Sequence, residues 1–277
     1  MGHTNGLAYL RTDILPNMWC PGCGNGIVLS AMLRAFEALK LEHHEVVAVS
    51  GIGCWGKVDD YITVNALHAT HGRALSFATG VKAANPRLRV LVLAGDGDGT
   101  TIGGNHLIHS ARRNMDLTMI MVDNFNYGMT GGQYSATTPG GRVTSTTRGG
   151  NPERAFDVCE LVRAAGGNYV ARQSIAEGAL IQKRIEEGLS RPGFSFIEVI
   201  SACTTLYGPN NGLKTPVDMF RQFKEKCLPK EKYDRIENAA AKGYLTTGVL
   251  HQADAPDFLS QYEAMRGRLA AAKGGRA

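Results

Sequence analysis

No stretch of this chain approaches the roughly 18 consecutive apolar residues that a membrane span requires, so no transmembrane segment is expected. Positive charge is not massed either. The 30 Lys and Arg residues are dispersed rather than gathered with aromatics on one segment, and the formal charge of +5 therefore does not point to nucleic acid. Residues 1–15 lack a basic region followed by an apolar core, which leaves no export signal and sets the expectation of a cytoplasmic protein. Cysteine is scarce, six residues in all, and without an export signal these argue for metal or redox chemistry rather than structural disulfides.

What the chain does have is the length, 277 residues, and the apolar content, 43%, of one large α/β domain. Glycine is plentiful at 34 residues and concentrates between positions 51 and 150, suggesting backbone pressed close to ligands. Helical periodicity follows a Cys-Pro-Gly-Cys turn, through Val28, Leu29, Met32, Leu33, Phe36 and Leu39. Short continuous apolar runs at 46–49, 90–94 and 119–122 are each followed by Gly, Asp or Asn and then by helical character, as in a parallel sheet covered on both faces. The alternation continues with a helix over 153–165, a strand over 169–171, a helix over 175–189 and a strand over 196–200. The expected architecture is a doubly wound, mostly parallel α/β sheet with helices on both faces, occupying residues 1–210. Residues 211–277 read as a C-terminal extension packing on the domain or on a partner, irregular apart from helices over 217–226 and 256–272, and ending in a polar tail. Between 130 and 151 lies a Gly, Ser, Thr, Pro and Arg stretch too long for an ordinary connection, and such loops are functional or mobile.

Running directly off a predicted strand is Leu-Ala-Gly-Asp-Gly-Asp-Gly, from Leu93. Gly95, Gly97 and Gly99 let backbone N–H groups approach a phosphate at the carboxyl end of the sheet. Asp96 would repel that phosphate unless a divalent cation lay between, and magnesium takes oxygen ligands from few protein groups plus the phosphates themselves. The next strand ends in Asp123-Asn124-Phe125-Asn126-Tyr127, where the Asn124 amide oxygen and a neighbouring carbonyl, that of Asn126, complete a metal shell. The competing reading is a nicotinamide loop with Asp116 or Asp123 on the ribose; the glycine spacing fits that fingerprint poorly. The pattern of Gly-Asp-Gly and an asparagine 28 residues beyond Asp96 resembles the diphosphate motif of thiamine-diphosphate enzymes.

Cys20 and Cys23 can point two thiolates at one centre, with Cys54 and Cys203 emerging after strands; four thiolates suit a 4Fe–4S cluster or structural zinc equally by count. Five motifs then occur in order: Cys-Pro-Gly-Cys-Gly at 20–24, Gly-Ile-Gly-Cys at 51–54, His-Gly-Arg-Ala at 71–74, Gly-Asp-Gly-Asp at 95–98 and Asp-Asn-Phe-Asn-Tyr-Gly-Met-Thr-Gly-Gly-Gln at 123–133. Together, over roughly residues 15–210, they resemble the β subunit of the 2-oxoacid:ferredoxin oxidoreductases. The resemblance implies a thiamine-diphosphate-binding fold, a 4Fe–4S cluster on Cys20, Cys23, Cys54 and Cys203, and magnesium on Asp96, Asn124 and Asn126. It further implies a cofactor bound by Gly53, Gly95, Asp96, Gly97, Asp98, Asn124, Asn126, Tyr127, Met129 and Thr130. Coenzyme A would take the acyl group and ferredoxin the electrons, in a reaction able to run in reverse as a reductive carboxylation. The glutamate that activates the cofactor is expected on an α subunit, as part of a dimer of heterodimers. A cluster-free decarboxylase subunit and a zinc-binding scaffold are the alternatives.

The remaining candidates are cations and histidines. Lys57 and Arg73 offer positive charge to a substrate carboxylate, and a cation at Lys57 favours 2-oxoglutarate over pyruvate. His71 is a candidate catalytic residue; His68, three positions earlier on a predicted helical stretch, is read as structural. His106 and His109 are expected to pack, Cys159 to sit in the core with Phe156 and Val162, and Cys227 to be a surface or packing residue.

Overall fold

The computed structural model describes residues 6–274. Residues 1–5, where the stretch read for an export signal begins, and 275–277, the end of the polar tail, lie outside the described residues. In chain order the elements are α1 (Asn25–Ala38), β1 (Val46–Ser50), β2 (Asn65–His68), α2 (Ala74–Ala84), β3 (Arg89–Gly95) and a turn of π-helix (Gly97–Ile102). Next come α3 (Gly104–Arg112), β4 (Thr118–Asp123), α4 (Val158–Ala165), β5 (Tyr169–Ser174), α5 (Gly178–Leu189) and β6 (Ser195–Ile200). Last are α6 (Tyr207–Asn210), α7 (Pro216–Lys226), β7 (Cys227–Pro229), α8 (Lys230–Tyr233), β8 (Leu245–Gln252) and α9 (Phe258–Gly274). Among the described residues no helix is long and apolar enough to cross a membrane.

The strands form one sheet in the order β2-β1-β3-β4-β6-β5-β8-β7, and every pairing is parallel except that of β5 with β8. Side chains alternate between two cores, as a strand's period of two requires. On β3, Leu91 and Leu93 point to the face covered by α1 and α5; Val90, Val92 and Ala94 point to the face covered by α2, α3 and α4. Because β2 and β3 flank β1 on opposite sides, the chain reverses direction across the sheet there, and a crevice opens at the carboxyl ends of β1 and β3.

Three local readings differ from expectation. The helix expected over 153–165 begins only at Val158: Asp157 caps it by accepting from Glu160 N at 3.2 Å, and the Phe156 N–H is already committed to the Ala136 carbonyl at 2.8 Å. Phe156 is consequently exposed, whereas Cys159 and Val162 are buried. His68 ends strand β2 and His71 lies in the turn beyond it, so the two share no helix face. Leu245–Gln252, read as irregular chain, is a strand whose antiparallel ladder against β5 carries a register shift at Val170.

Across the sheet interior, Arg172 on β5 reaches Glu198 on β6 at 2.5 Å and Asp157 at 2.6 Å, with both Arg172 and Glu198 buried. Cys159 Sγ donates to the same Glu198 carboxylate at 3.2 Å. A buried ion pair is dangerous to halve, because the survivor keeps its charge without a partner. Arg172→Met is expected to cost about 3–5 kcal/mol in urea denaturation. Arg172→Met with Glu198→Leu should recover most of that loss; a double variant no more stable than the single would show that packing, not charge, sets the penalty.

Candidate functional site

Loops leaving β1, β3, β4 and β6 converge at the carboxyl rim of the sheet. A cleft there is lined by Ile52, Gly53, Cys54 and Trp55 after β1, by Gly95, Asp96, Gly97 and Asp98 after β3, and by Asn124, Asn126, Tyr127, Gly128, Met129 and Thr130 after β4, with His71 at its side. Gly97 is obligatory by contact: a Cβ there would fall 2.5 Å from the Tyr127 ring, whose hydroxyl donates to the Gly97 carbonyl at 3.0 Å.

Asp96 is fully out of water. Burial pushes its carboxyl up to about 6, against the opposing pull of two hydroxyls. Ser135 Oγ donates to Oδ2 at 2.6 Å and Thr137 Oγ1 lies 3.0 Å from the same oxygen. Thr137 Oγ1 is also 2.9 Å from Asp123 Oδ1. The Thr137 hydroxyl thus bridges the two buried carboxylates. Burial first, then the charges of Asp96 and Glu198, holds Asp123 well above the usual carboxylate range. Asp96 Oδ1 has only the distant Asn124 N–H, at 3.5 Å.

Between the two asparagines, Phe125 sits in the left-handed region at φ 64°, a conformation that for a non-glycine residue stores about 1–3 kcal/mol. The strain is held from three sides: its N–H donates to Asp123 at 2.9 Å, Thr138 Oγ1 donates to its carbonyl at 2.6 Å, and its ring lies 5.3 Å from that of Tyr207. Asn126 follows with its amide buried and neither Oδ1 nor Nδ2 partnered; Asp98 Oδ2 is likewise buried without a partner. Unmatched buried polar atoms cost about 1–3 kcal/mol each in an ordinary interior, and their collection in one cleft is what a ligand-binding cradle requires. The other Asp98 oxygen accepts from Gly72 N at 2.7 Å and pairs with His71 Nδ1, leaving the far side of the imidazole free; His71 also meets Tyr127 edge-on at 6.0 Å.

The thiols assemble on the same rim. Ser201 Oγ donates to the Cys23 carbonyl at 2.7 Å, Thr204 Oγ1 to the Pro21 carbonyl at 3.2 Å, and Trp19 Nε1 to the Cys54 carbonyl at 2.6 Å, tying three loops together. Gly24 permits the closure, since a Cβ there would meet Ser201 Oγ at 2.6 Å. Burial, then the charges of Cys203, Cys23 and Cys20, pushes the Cys54 thiol up to about 11; Cys23 is raised by burial and by Cys20 and Cys203. Cys54 therefore feels the charge of each of the other three, and Cys23 that of Cys20 and Cys203. Among the described residues no three His, Cys, Asp or Glu side chains close round a single metal-ion position. Cys54 Sγ also stands 3.5 Å from where a Gly128 side chain would begin, so it borders the cleft as well.

Residues 44–199 match the family described as thiamine pyrophosphate enzyme, C-terminal TPP binding domain. The chain is 44% identical to the 2-oxoglutarate synthase subunit KorB of Methanothermobacter marburgensis, across 94% of this chain and 91% of that one. It is 41% identical to the 2-oxoacid:ferredoxin oxidoreductase subunit beta of Saccharolobus solfataricus, across 68% and 63%. Its backbone superposes with TM-score 0.84 and 30% identity on 2-oxoglutarate:ferredoxin oxidoreductase from Magnetococcus marinus, covering 98% of this chain and 92% of that one. That structure has 2-oxoglutarate, coenzyme A and succinyl-CoA bound. This chain belongs to the β-subunit family of the 2-oxoacid:ferredoxin oxidoreductases.

In this β subunit the cleft brings together Gly53, Gly95, Asp96, Gly97, Asp98, Asn124, Asn126, Tyr127, Met129, Thr130 and His71. Lys57 and Arg73 stand outside its lining: Lys57 pairs with Asp60 at 2.6 Å, and exposed Arg73 lies 3.4 Å from the Ile102 carbonyl. His68 bonds Asp59 at 2.7 Å and Ser50 at 3.0 Å, as a structural histidine does, while His106 meets Ser76 at 3.0 Å and His109 is exposed. Ser135, Thr137, Thr138 and Trp19 went unnoticed in the sequence; the hydroxyl-rich loop at 130–151 was the one signal for the first three.

Ser135→Ala removes a donor from the carboxylate proposed to face the cation. Magnesium-dependent thiamine diphosphate binding, measured by titration calorimetry, should weaken roughly 10- to 100-fold, as for other residues that orient metal ligands. An unchanged affinity would mean that Asp96 does not hold the metal.

Proposed function

We propose that this β subunit carries the cofactor and the iron–sulfur centre of an enzyme that joins coenzyme A to the product of 2-oxoglutarate decarboxylation, forming succinyl-CoA and carbon dioxide and passing electrons to ferredoxin. The observation that carries the reading is the shared rim: Cys54 belongs both to the four-thiol group and to the cleft containing Asp96 and Asn124. Two kinds of likeness favour 2-oxoglutarate as the acid: relatives named for it align over nearly the whole chain, and the similar Magnetococcus marinus structure holds it. The working enzyme is then a pairing with an α subunit, as a dimer of heterodimers in the cytoplasm.

Magnesium fits the cradle by its donor set, since Asp96 Oδ1, the Asn124 amide and the Asn126 carbonyl are hard oxygen donors, beside an Asn126 amide with no other partner. Bound there, the ion supplies the positive charge that lets a diphosphate lie against Asp96. The N–H groups at Gly95 and Gly97 would hold the phosphates of a bound diphosphate, while Tyr127 closes on Gly97, and Met129 and Thr130 border the mouth. Thiamine diphosphate, when bound, supplies the carbanion chemistry by which a 2-oxoacid loses carbon dioxide. A 4Fe–4S cluster on Cys20, Cys23, Cys54 and Cys203, when bound, accepts the electrons singly. His71, braced by Asp98, presents a ring of fixed orientation to the cleft. For Lys57 to receive the distal carboxylate of 2-oxoglutarate it must exchange Asp60 for the substrate.

Cys54→Ala is expected to lose bound iron and sulfide, with the broad visible absorption of the cluster, while thiamine diphosphate still binds with magnesium. Anaerobically isolated parent enzyme holding one zinc and no iron would refute the cluster. Lys57→Ala should raise KM for 2-oxoglutarate well above any change for pyruvate; equal losses for the two acids would remove Lys57 from substrate choice.

A further inference from the structure

Cys20 is the exposed member of the thiol set: Cys23 and Cys54 are half-buried and Cys203 is buried. It opens into a depression of about 520 Å³ formed by Trp19, Pro21 and Ile27 on one side and by Pro216, Val217 and Phe220 of α7 on the other. Val217 and Ile27 are exposed apolar side chains here, although nothing in the cleft chemistry uses them.

The wall contributed by α7 is positively charged. Val217, Phe220, Arg221 and Lys224 fall on one side of the helix at spacings of three and four. Lys224 Nζ lies 5.6 Å from the centre of the Phe220 ring, which places its charge at the edge of the depression. Lys214, just before the helix, is exposed, as are Arg221 and Lys224. Among residues 214–226 the acidic groups are Asp218 and Glu225. Asp218 is held at the helix start, accepting from Thr215 N at 3.0 Å and from Thr215 Oγ1 at 2.8 Å, and exposed Glu225 follows Lys224 on the flank of the helix, so that Lys214, Arg221 and Lys224 outnumber the one free carboxylate along this edge. An apolar floor beside an electron-transfer centre, rimmed by charge of one sign, is the anatomy of a transient interface in which the rim steers encounter and the floor fixes contact.

We propose that this depression is the docking surface for a small acidic one-electron carrier protein, which takes electrons through the Cys20 edge of the thiol set. The inference rests on the cluster assignment above. It adds the place of contact and the chemistry of the partner: carboxylates round an apolar centre, meeting Lys214, Arg221 and Lys224 round Val217 and Phe220.

The test uses the complete enzyme with its α subunit and the triple variant Lys214→Glu, Arg221→Glu, Lys224→Glu. Two acceptors are compared: an acidic ferredoxin, and a small viologen dye that needs no docking site. The variant should show KM for ferredoxin raised by about 10-fold or more, with a weaker dependence on salt, while viologen reduction and iron content stay at the parent level. Val217→Asp, which leaves the cations in place, should also raise KM for ferredoxin and spare the dye. Unchanged ferredoxin KM in both variants would overturn the proposal. Loss of α-subunit association in sedimentation would overturn it too, by making this face a subunit contact. A parent enzyme without iron, or one that reduces neither acceptor, would instead bring down the cluster reading, and the docking surface with it.

Discussion

A carboxylate that has lost its water governs this protein. Asp96 stands at the end of β3 with its carboxyl buried and its pKa raised to about 6, and the folded chain holds it there at a cost in solvation. Two hydroxyls answer Oδ2, and Oδ1 is left to face the asparagine loop. Neither hydroxyl comes from a regular element; both come from the stretch at 130–151, which folds Ser135, Thr137 and Thr138 under the cleft as buried side chains. That segment is a support for the acid. The composition that looked like a loose connection is the composition of a hydrogen-bond donor layer.

The same constraint explains why strain is tolerated next door. Phe125 adopts a left-handed backbone, and only there do Asn124 and Asn126 flank the carboxylate with Asn126 buried and unpartnered. Thr138 and Asp123 grip the backbone on either side of it, and Asp123 in turn shares Thr137 with Asp96. Acid, strained turn and hydroxyl layer therefore stand or fall together, a network whose members reinforce one another in low dielectric.

Much of this was legible in the sequence, for identifiable reasons. Strands such as Arg89–Gly95 announce themselves by unbroken apolar runs, and a parallel sheet sends every such strand's end to one rim, so Asp96, Asn124, Cys54 and Cys203 fall along the same rim once the architecture is right. What escaped was chemistry set by distant partners. Ser135 resembles any loop serine until it lies 2.6 Å from Asp96. Lys57 looked available for a substrate because the sequence does not show that Asp60 will claim it. The stretch near His68 read as helix from its spacing, but pairing with β1 made it an edge strand. Leu245–Gln252 was missed because its weak alternation gains meaning only against β5.

The make-up of the cleft also accounts for the chain's place as a subunit. Among the described residues its lining contains Asp96 and Asp98 and neither lysine nor arginine, with His71 as its one basic side chain, already tied to Asp98. A diphosphate brings further negative charge, and a 2-oxoacid adds a carboxylate. In the proposed reading one divalent cation would offset Asp96 and part of the diphosphate, and the remaining charge would have to be met from outside this lining. Exposed Met129 and Thr130 at the mouth leave the cleft open on that side. A second chain that closes over the mouth can bring cations to the substrate and exclude water in one movement, which makes the electrostatic deficit of the β subunit complementary to an α subunit rather than a defect of its own fold.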